Sequence, residues 1–157
     1  MAHTASVLFV CLGNICRSPL AEAAFRAAAA DAGLAVHVVS VGTAGYHVGE
    51  PPVPRSIRTA ASRGIDITHH CGRQLAESDF SEFTHIFAMD HENLRNIEAR
   101  APAVATAEIS LLLDVLPHRV GEPVGDPYYG GDEGFERTWA EVSEAAQALV
   151  AKLASAQ

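Results

Sequence analysis

Lysine and positive charge are scarce in this sequence. Of its 157 residues only Lys152 is a lysine, and 11 basic residues face 19 acidic ones, which gives a formal net charge of −8 at pH 7. Domains that bind a nucleic-acid backbone or an anionic membrane usually present a basic surface. We therefore expect no nucleic acid and no membrane among the partners, and only a local site for an anion.

Long apolar runs and paired cysteines are missing as well. No apolar stretch approaches the ~18 residues of a membrane-spanning helix, and no charged-then-apolar leader opens the chain. Three cysteines, an odd number, argue against a disulfide-stabilised secreted scaffold. With 48% hydrophobic and 19% charged residues, the composition favours a buried core. We expect a single cytoplasmic domain over residues 1–157.

Short apolar segments alternate along the chain with segments of helical periodicity. Ser6–Cys11 is an almost continuous apolar run, typical of a strand buried on both faces of a parallel sheet. Further strands are expected at residues 36–40, at 84–88 and within 107–111. The alternation predicts an α/β domain, a four-stranded parallel sheet with helices on both faces. Ligands bind such sheets beyond the carboxyl ends of the strands, so the loop after the first strand is the candidate site.

Proline, glycine and small polar residues mark the expected helix ends. Ser18 and Pro19 predict a helix that has Ser18 as its N-cap and ends near Gly33. The other helices are expected over residues 54–63, from Asp90 to about residue 100, and along the apolar stripe 135–153. Trp139 belongs to that last stripe and is predicted to be part of the core.

The loop after the first strand carries the residue types of an anion site that contains a nucleophile. It reads Cys11-Leu12-Gly13-Asn14-Ile15-Cys16-Arg17-Ser18. A loop of this kind, between a buried strand and a helix start, can direct backbone N–H groups at an anion. The same donors, together with Arg17 and Ser18, favour the thiolate form of Cys11, which is the reactive form of a cysteine. Arg17 can also hold two phosphate oxygens at once.

Other phosphate and metal motifs do not fit the sequence. A Walker A loop requires Gly-Lys-Ser/Thr, and the one lysine lies near the C-terminus. A dinucleotide fingerprint requires three spaced glycines, whereas this loop has Gly13 alone. Cys11 and Cys16 have four residues between them rather than the two of a zinc or thioredoxin-like motif. The run 69–71 (His-His-Cys) lacks a fourth spaced ligand, so we expect no metal.

Hydrolysis of a phosphate ester by a thiolate also requires an acid for the leaving oxygen. Asp126 lies in the glycine-rich segment 125–131, where Pro127 and the paired Tyr128 and Tyr129 follow it. An Asp-Pro pair in a loop often only forms a turn. The tyrosines favour a site instead, because exposed aromatic rings can enclose a phenyl group. The residues alone leave both interpretations open.

The loop resembles the signature of the low-molecular-weight protein tyrosine phosphatases. The similarity includes residues 7–10 before the loop and 17–22 at its end, and it continues at Asp90 and at 126–129. It extends across nearly the whole chain. The fold of that family, a four-stranded parallel sheet flanked by helices, is the one expected above.

This resemblance implies hydrolysis of phosphotyrosine, and of small aryl phosphates, through a cysteinyl-phosphate intermediate. Cys11 would be the nucleophile, Arg17 would bind the phosphate and the transition state, and Asp126 would act as general acid and then as general base. The loop from Leu12 to Ser18 would bind phosphate or a similar oxyanion. The resemblance also implies tyrosine-phosphorylated proteins as partners, no cofactor, and a monomer or weak dimer.

Further residues match family positions that have supporting roles. Tyr128 and Tyr129 match residues of the substrate cleft. Tyr46 stands where many members have tryptophan and would form an aromatic wall of the cleft, with an ordinary tyrosine on a surface loop as the alternative. Asn14 matches a residue that holds the loop in its strained shape. Ser18 matches the hydroxyl group that donates to the thiolate.

Three matches have two interpretations each. His70 matches a histidine that supports the loop, with the adjacent His69 as the alternative. Asp90 matches a family position, although a helix N-cap also explains it. Cys16 either fills space in the loop or forms a disulfide with oxidised Cys11 and protects it from further oxidation, as the matching family cysteine does.

Three other functions occur on this type of scaffold. An arsenate reductase needs resolving cysteines well downstream, and none follows Cys71. Protein arginine phosphatases tend to have threonine where Ile15 stands, and they lack the paired tyrosines. A non-catalytic phosphate-binding module has no need of a nucleophile, an arginine and an acid together. Phosphotyrosine hydrolysis is therefore the favoured function.

Overall fold

A four-stranded, all-parallel sheet forms the centre of the computed structural model, which describes residues 5–128 and 130–156. The strands are β1 (Ser6–Cys11), β2 (His37–Gly42), β3 (His85–Ala88) and β4 (Glu108–Leu111). Their order across the sheet is β2-β1-β3-β4, and all neighbouring strands are parallel. The expected α/β fold with its four-stranded parallel sheet is confirmed.

Helices connect the strands and continue after the last one. They are α1 (Arg17–Asp31), α2 (Pro54–Ala61), α3 (Asp79–Glu82), α4 (His91–Arg100) and α5 (Asp132–Ser155), with a 3-10 helix at Leu112–Val115. The sequence did not predict α3 or the 3-10 helix, each of which has four residues. Within residues 5–128 and 130–156, no helix combines the length and the apolar character needed to cross a membrane.

Alternating side chains of β1 divide the core between the two faces of the sheet. On one face, buried Phe9 packs with Phe25 of α1 and belongs to a cluster that includes Leu149 of α5. On the other face, buried Leu8 belongs to a cluster that includes Ile97 of α4. Helices therefore cover both faces, as expected, and β1 is a rigid central strand from which the candidate loop emerges.

The start of α1 differs from the expectation. Cys16 rather than Ser18 is the N-cap, and Arg17 is the first helical residue. Ser18 does not cap the helix because its hydroxyl group contacts Cys11 Sγ and accepts a hydrogen bond from Asn14 Nδ2. A tertiary contact thus overrides the capping preference of serine, and the first turn of the helix becomes part of the candidate loop.

Four smaller expectations also need correction. β2 continues beyond residue 40 to Gly42 because Gly42 pairs with Cys11 at the end of β1. α2 ends at Ala61 rather than at residue 63, whereas α5 begins at Asp132, where acidic residues suit the first turn of a helix. Trp139 is half-buried at the margin of the core, and the Arg63 guanidinium lies 5.5 Å from the centre of its ring.

Candidate active site

A cavity of about 240 Å³ opens beside the candidate loop at the carboxyl end of β1. The described residues that line it are Cys11, Leu12, Gly13, Ile15, Cys16, Arg17, Tyr46, His47, Asp126 and Tyr128. The loop, the segment after β2 and the segment before α5 therefore meet at one place, although they lie far apart in the sequence. Tyr129 lies outside the described residues, so its place in the cleft stays a prediction.

The backbone of the loop turns carbonyl groups outward. Those of Cys11, Leu12 and Ile15 each accept a hydrogen bond of 2.9 Å, from the N–H groups of Thr43, Ala44 and Val53 respectively. In a planar trans peptide the following N–H points opposite to the carbonyl, so these N–H groups point inward. The first N–H groups of α1 add to them, because they have no partner within the helix. The loop is thus arranged to bind an anion.

Asn14 fixes the shape of the loop from behind and does not line the cavity. Its φ of 60° lies in the left-handed region, which costs a non-glycine residue roughly 1–2 kcal/mol. Its buried side chain makes bonds that offset this cost: Nδ2 donates to Ser18 Oγ (2.8 Å) and to Ser40 Oγ (3.0 Å). Its Oδ1 accepts from the backbone N–H of Arg73 at 3.1 Å. A glycine would adopt the same φ freely but would lose these three bonds and the contact with His70 described below.

The Ser18 hydroxyl group lies between Asn14 and Cys11. Its Oγ accepts from Asn14 Nδ2 and lies 3.0 Å from Cys11 Sγ, with the Val41 carbonyl as a longer acceptor at 3.5 Å. A thiolate can only accept, so Ser18 is the donor of this pair when Cys11 is ionised. The backbone N–H of Asn14 also donates to Cys11 Sγ at 3.3 Å. Two donors directed at one buried sulfur stabilise negative charge on it, which is what the proposed role of Ser18 requires.

His70 is the histidine that contacts the loop, whereas the adjacent His69 is exposed. His70 Nε2 lies 3.2 Å from Asn14 Oδ1, and because that oxygen can only accept, Nε2 carries the proton. His70 Nδ1 lies 3.8 Å from Glu22 Oε1, which in turn accepts from Ser40. Burial lowers the pKa of His70 below 6.5, and the Glu22 carboxylate acts in the opposite direction. The ring is therefore neutral near pH 7.

Arg17 is buried at the cavity and held by two acceptors. Its Nη1 donates to Asp90 Oδ2 (2.8 Å) and to the Val124 carbonyl (2.9 Å). Both protons of Nη1 are engaged, so Nη2 and Nε are the groups for an oxyanion. Asp90 Oδ1 also accepts from the Asn93 N–H at the start of α4 at 2.8 Å. Asp90 is thus both a helix N-cap and the residue that orients Arg17.

Asp126 approaches the same arginine from the rim of the cavity. Its Oδ2 lies 3.9 Å from Arg17 Nη2, and 45% of its side chain is exposed. Its Oδ1 accepts from the backbone N–H of Tyr128 at 3.0 Å, which is a local turn of the Asx type. The two interpretations of Asp126 are therefore compatible, because one carboxylate oxygen forms the turn and the other reaches the cavity.

Aromatic and apolar side chains surround the mouth of the cavity. Tyr46, Tyr128 and Leu12 are 75%, 42% and 41% exposed respectively. Between them lies His47, which the sequence analysis missed and whose only signal was its place next to Tyr46. A Cβ at Gly13 would lie 2.9 Å from His47 Cδ2, so the glycine leaves room for this ring. The mouth is thus suited to a flat apolar group.

Other supporting residues also gave no signal in the sequence. Gly42 lies so close to the loop that a Cβ there would be 2.7 Å from the Leu12 carbonyl oxygen. Ser40 and Glu22 connect Asn14 to α1 through the bonds described above. Arg73, whose N–H supports Asn14, donates to both oxygens of buried Asp79 at 2.9 and 3.1 Å. These roles depend on tertiary contacts and not on a local motif.

Comparison with known proteins identifies the family. Residues 6–157 match the family described as low molecular weight phosphotyrosine protein phosphatase. The chain belongs to this family. A relative of that name from Schizosaccharomyces pombe is 42% identical over 157 residues, which is 98% of this chain and 100% of the relative. A protein tyrosine phosphatase from Entamoeba histolytica has 36% identity and a TM-score of 0.90, covering 97% of this chain and 98% of its own.

The same phosphatase fold also occurs in an arginine phosphatase from Drosophila. That structure is 33% identical, with a TM-score of 0.87, and the match covers 93% of this chain and 96% of the other. Fold and overall identity therefore leave open which phosphorylated residue a member of this phosphatase family recognises. The residues that line the cavity have to decide it.

The second cysteine of the phosphatase loop differs from the first in its environment. Burial raises the pKa of Cys16 to about 12, with further contributions from Cys11 and Asp126. Its thiol is therefore protonated near pH 7 and does not compete with Cys11 as a nucleophile. Cys71 is exposed. In the described parts of the chain, no group of three or more histidine, cysteine, aspartate and glutamate side chains is placed to hold a metal ion.

The buried neutral His70 predicts a loss of stability in mild acid. The pKa of His70 is lower in the folded protein than its ordinary value of 6.5. As the pH falls through 6.5 the unfolded chain therefore binds the proton first, and the free energy of unfolding decreases by at most about 1.4 kcal/mol per pH unit for this group. Urea unfolding between pH 7.5 and 5 measures this slope.

A His70→Gln variant provides the comparison, because glutamine also offers an N–H donor to Asn14 Oδ1 but does not titrate. We expect its slope below pH 6.5 to be smaller than that of the natural protein. Some slope will remain, since burial also lowers the pKa of His85. Equal slopes in the two proteins would contradict the assignment of His70.

Proposed function

We propose that the protein hydrolyses phosphotyrosine in proteins, and small aryl phosphates, in two steps through a cysteinyl-phosphate intermediate. One observation carries the proposal: Cys11, Arg17 and Asp126 line a single cavity beside a loop whose carbonyl groups are hydrogen-bonded to neighbouring segments, which leaves its N–H groups for an anion. A nucleophile, a phosphate-binding cation and a proton donor thus surround one space that suits a phosphate group. A binding module needs only the second of these three.

In the first step the Cys11 thiolate attacks phosphorus, and the bond between phosphorus and the ester oxygen breaks. The carboxyl group of Asp126 donates its proton to that leaving oxygen, so the product is a neutral phenol. Arg17 Nη2 and Nε, together with the loop N–H groups, bind the three other phosphate oxygens as negative charge shifts onto them. The fixed bonds from Arg17 Nη1 to Asp90 and Val124 keep the guanidinium in place.

In the second step a water molecule attacks the cysteinyl-phosphate. The Asp126 carboxylate, which lost its proton in the first step, accepts a proton from that water. The bond between sulfur and phosphorus breaks, inorganic phosphate leaves, and the thiolate of Cys11 is restored. Protons and charges balance over the two steps without a metal ion or cofactor.

The lining of the cavity favours a tyrosine substrate over phosphoarginine. Tyr46 and Tyr128 are placed to contact a phenyl ring, and apolar Ile15 lines the cavity where arginine phosphatases tend to have threonine. The paired tyrosines, of which Tyr129 lies outside the described residues, support the same preference. Phosphoarginine should therefore be a much poorer substrate than phosphotyrosine at equal concentration.

The same features predict the substrates, the ligand and the location of the enzyme. We expect tyrosine-phosphorylated proteins as substrates and phosphate, or a similar oxyanion, as the ligand of the loop. A net charge of −8 gives no general affinity for nucleic acid or anionic membranes. We further propose that the phosphatase domain spans residues 1–157 and acts in the cytoplasm as a monomer or weak dimer.

The first test is hydrolysis of 4-nitrophenyl phosphate and of a phosphotyrosine peptide in the presence of a chelator. We expect full activity, because no step uses a metal ion. A Cys11→Ser variant should lose at least about 10³-fold in kcat, since a serine hydroxyl is not ionised at neutral pH. Cys71→Ser, at an exposed cysteine, is the matched control and should keep its activity. Inhibition by the chelator, or an active Cys11→Ser, would refute the mechanism.

A second test addresses the acid. Asp126→Asn should lower kcat/KM, which reports the first step, by about 10²–10⁴-fold for phenyl phosphate, whose leaving group needs a proton. The loss should be much smaller for 4-nitrophenyl phosphate, because nitrophenolate leaves without one. Asp31→Asn makes the same change of charge at the exposed end of α1 and should have no effect. A loss of equal size with both substrates would argue against Asp126 as the acid.

A third test concerns redox protection. Peroxide would convert the Cys11 thiolate to a sulfenic acid, and the Cys16 thiol would then form a disulfide with it, releasing water. We expect peroxide-inactivated protein to recover when a thiol reductant is added, whereas Cys16→Ser should recover poorly because its Cys11 oxidises further. Cys71→Ser should recover like the natural protein. Equal recovery of Cys16→Ser would remove the protective role.

A further inference from the structure

Arg55 connects α2 to the segment that carries the proposed acid. Its Nη2 donates to the Tyr128 carbonyl at 2.5 Å and its Nη1 to the Gly130 carbonyl at 2.6 Å. Its guanidinium carbon also lies 4.6 Å from the centre of the Phe135 ring at the start of α5. The group is thus held by two acceptors and one aromatic face, a geometry that the planar arginine fork permits and lysine does not.

The start of α2 is tied to the phosphate-binding loop as well. The N–H of Val53, the N-cap of α2, donates to the Ile15 carbonyl at 2.9 Å. Ser56 Oγ, next to Arg55, contacts the Cys16 carbonyl at 3.4 Å. Within a few residues, α2 therefore holds the nucleophile loop through Val53 and Ser56 and the acid segment through Arg55.

The acid segment (residues 125–131) needs such a support. It contains three glycines and lies between Val124, which is fixed by Arg17, and the start of α5. Asp126 lies near the middle of the span between Val124 and the two carbonyls that Arg55 holds. A glycine-rich stretch loses much conformational entropy when it is fixed, and a displacement of about 1 Å in a reacting group can cost 10²-fold in rate.

We propose that Arg55 is a positioning residue for the general acid, which keeps the Asp126 carboxyl group over the phosphate site by tying its segment to α2. This inference rests on the proposed function, since it concerns the step in which Asp126 donates its proton. Arg55 is not among the described residues that line the cavity, and both of its Nη groups hold carbonyl oxygens. It acts through Asp126 rather than on the phosphate.

The position of Arg55 predicts that its loss slows hydrolysis only of substrates whose leaving group needs a proton. In Arg55→Ala, kcat/KM for phenyl phosphate should fall by about 10–100-fold, because the proton donor of the first step is displaced. kcat/KM for 4-nitrophenyl phosphate, and inhibition by inorganic phosphate, should change by less than about 3-fold. Arg55→Lys should fall between, since lysine offers the charge without the second bond. The matched control is Arg58→Ala, an exposed arginine on the same helix, which should match the natural protein.

A double variant distinguishes positioning from a general structural role. If Arg55 acts through Asp126, adding Arg55→Ala to Asp126→Asn should lower phenyl phosphate hydrolysis by less than about 3-fold further. Additive losses would overturn the proposal. So would an equal loss with both substrates, or a loss confined to phosphate binding. Urea unfolding checks that each variant is folded. If Arg55→Ala does not fold, Arg55→Lys is used for the same comparisons.

Hydrogen exchange separates this proposal from the proposed function. Without any substrate, amides in residues 125–131 should exchange faster in Arg55→Ala than in the natural protein and Arg58→Ala, whereas those of β1 should be unchanged. If the natural protein hydrolyses no aryl phosphate, the proposed function fails even when this difference is seen. If it is active but exchange in 125–131 is unchanged, the positioning role of Arg55 fails by itself.

Discussion

The conformation of Asn14 is the constraint on which the site depends. Asn14 has a φ of 60°, in the left-handed region, and lies between the residues whose carbonyl groups are bonded outward. Glycine would satisfy the backbone, but only an amide side chain can also accept from Arg73 and donate to Ser18 and Ser40. Each such bond contributes about 0.5–1.5 kcal/mol net, enough together to offset the strain. The residue that shapes the anion site thus also holds the Ser18 hydroxyl group that contacts Cys11.

Charge at the site is balanced locally, which explains how a protein of net charge −8 can be built to bind phosphate. Arg17 is buried and would be costly there without a partner, and Asp90 supplies one at 2.8 Å. That pair leaves little net charge, so attraction of a phosphate of about −1.5 to −2 falls largely to oriented N–H groups. Such dipoles are effective only when they are fixed. The hydrogen bonds accepted by the loop carbonyl groups and those made by the Asn14 side chain hold the loop in this way.

Sequence reasoning succeeded where one local pattern decides the structure and failed where a distant contact does. The apolar run 6–11 predicted the buried strand β1, and Asp90 before a helical pattern predicted the cap that α4 has. Ser18 was misplaced as an N-cap because its hydroxyl group is engaged by Cys11 and Asn14. The choice between His69 and His70 depends on how the chain between α2 and β3 lies against the loop, and adjacent residues cannot reveal it. His47 and Arg55 could not be found for the same reason.

The nucleophile loop and the acid segment lie far apart in the sequence, and the order of the strands in the sheet explains how they come together. β1 carries the nucleophile loop, and β3, its neighbour, ends just before Asp90. The Met89 carbonyl accepts from the Val124 N–H at 2.7 Å, and Arg17 donates to the Val124 carbonyl, so the chain entering the acid segment is fixed to the residue after β3 and to the start of α1. The same segment is held on its other side by α2. The segment that carries Asp126 is therefore held by the start of α1, by Met89 after β3 and by α2, although 45% of the Asp126 side chain is exposed.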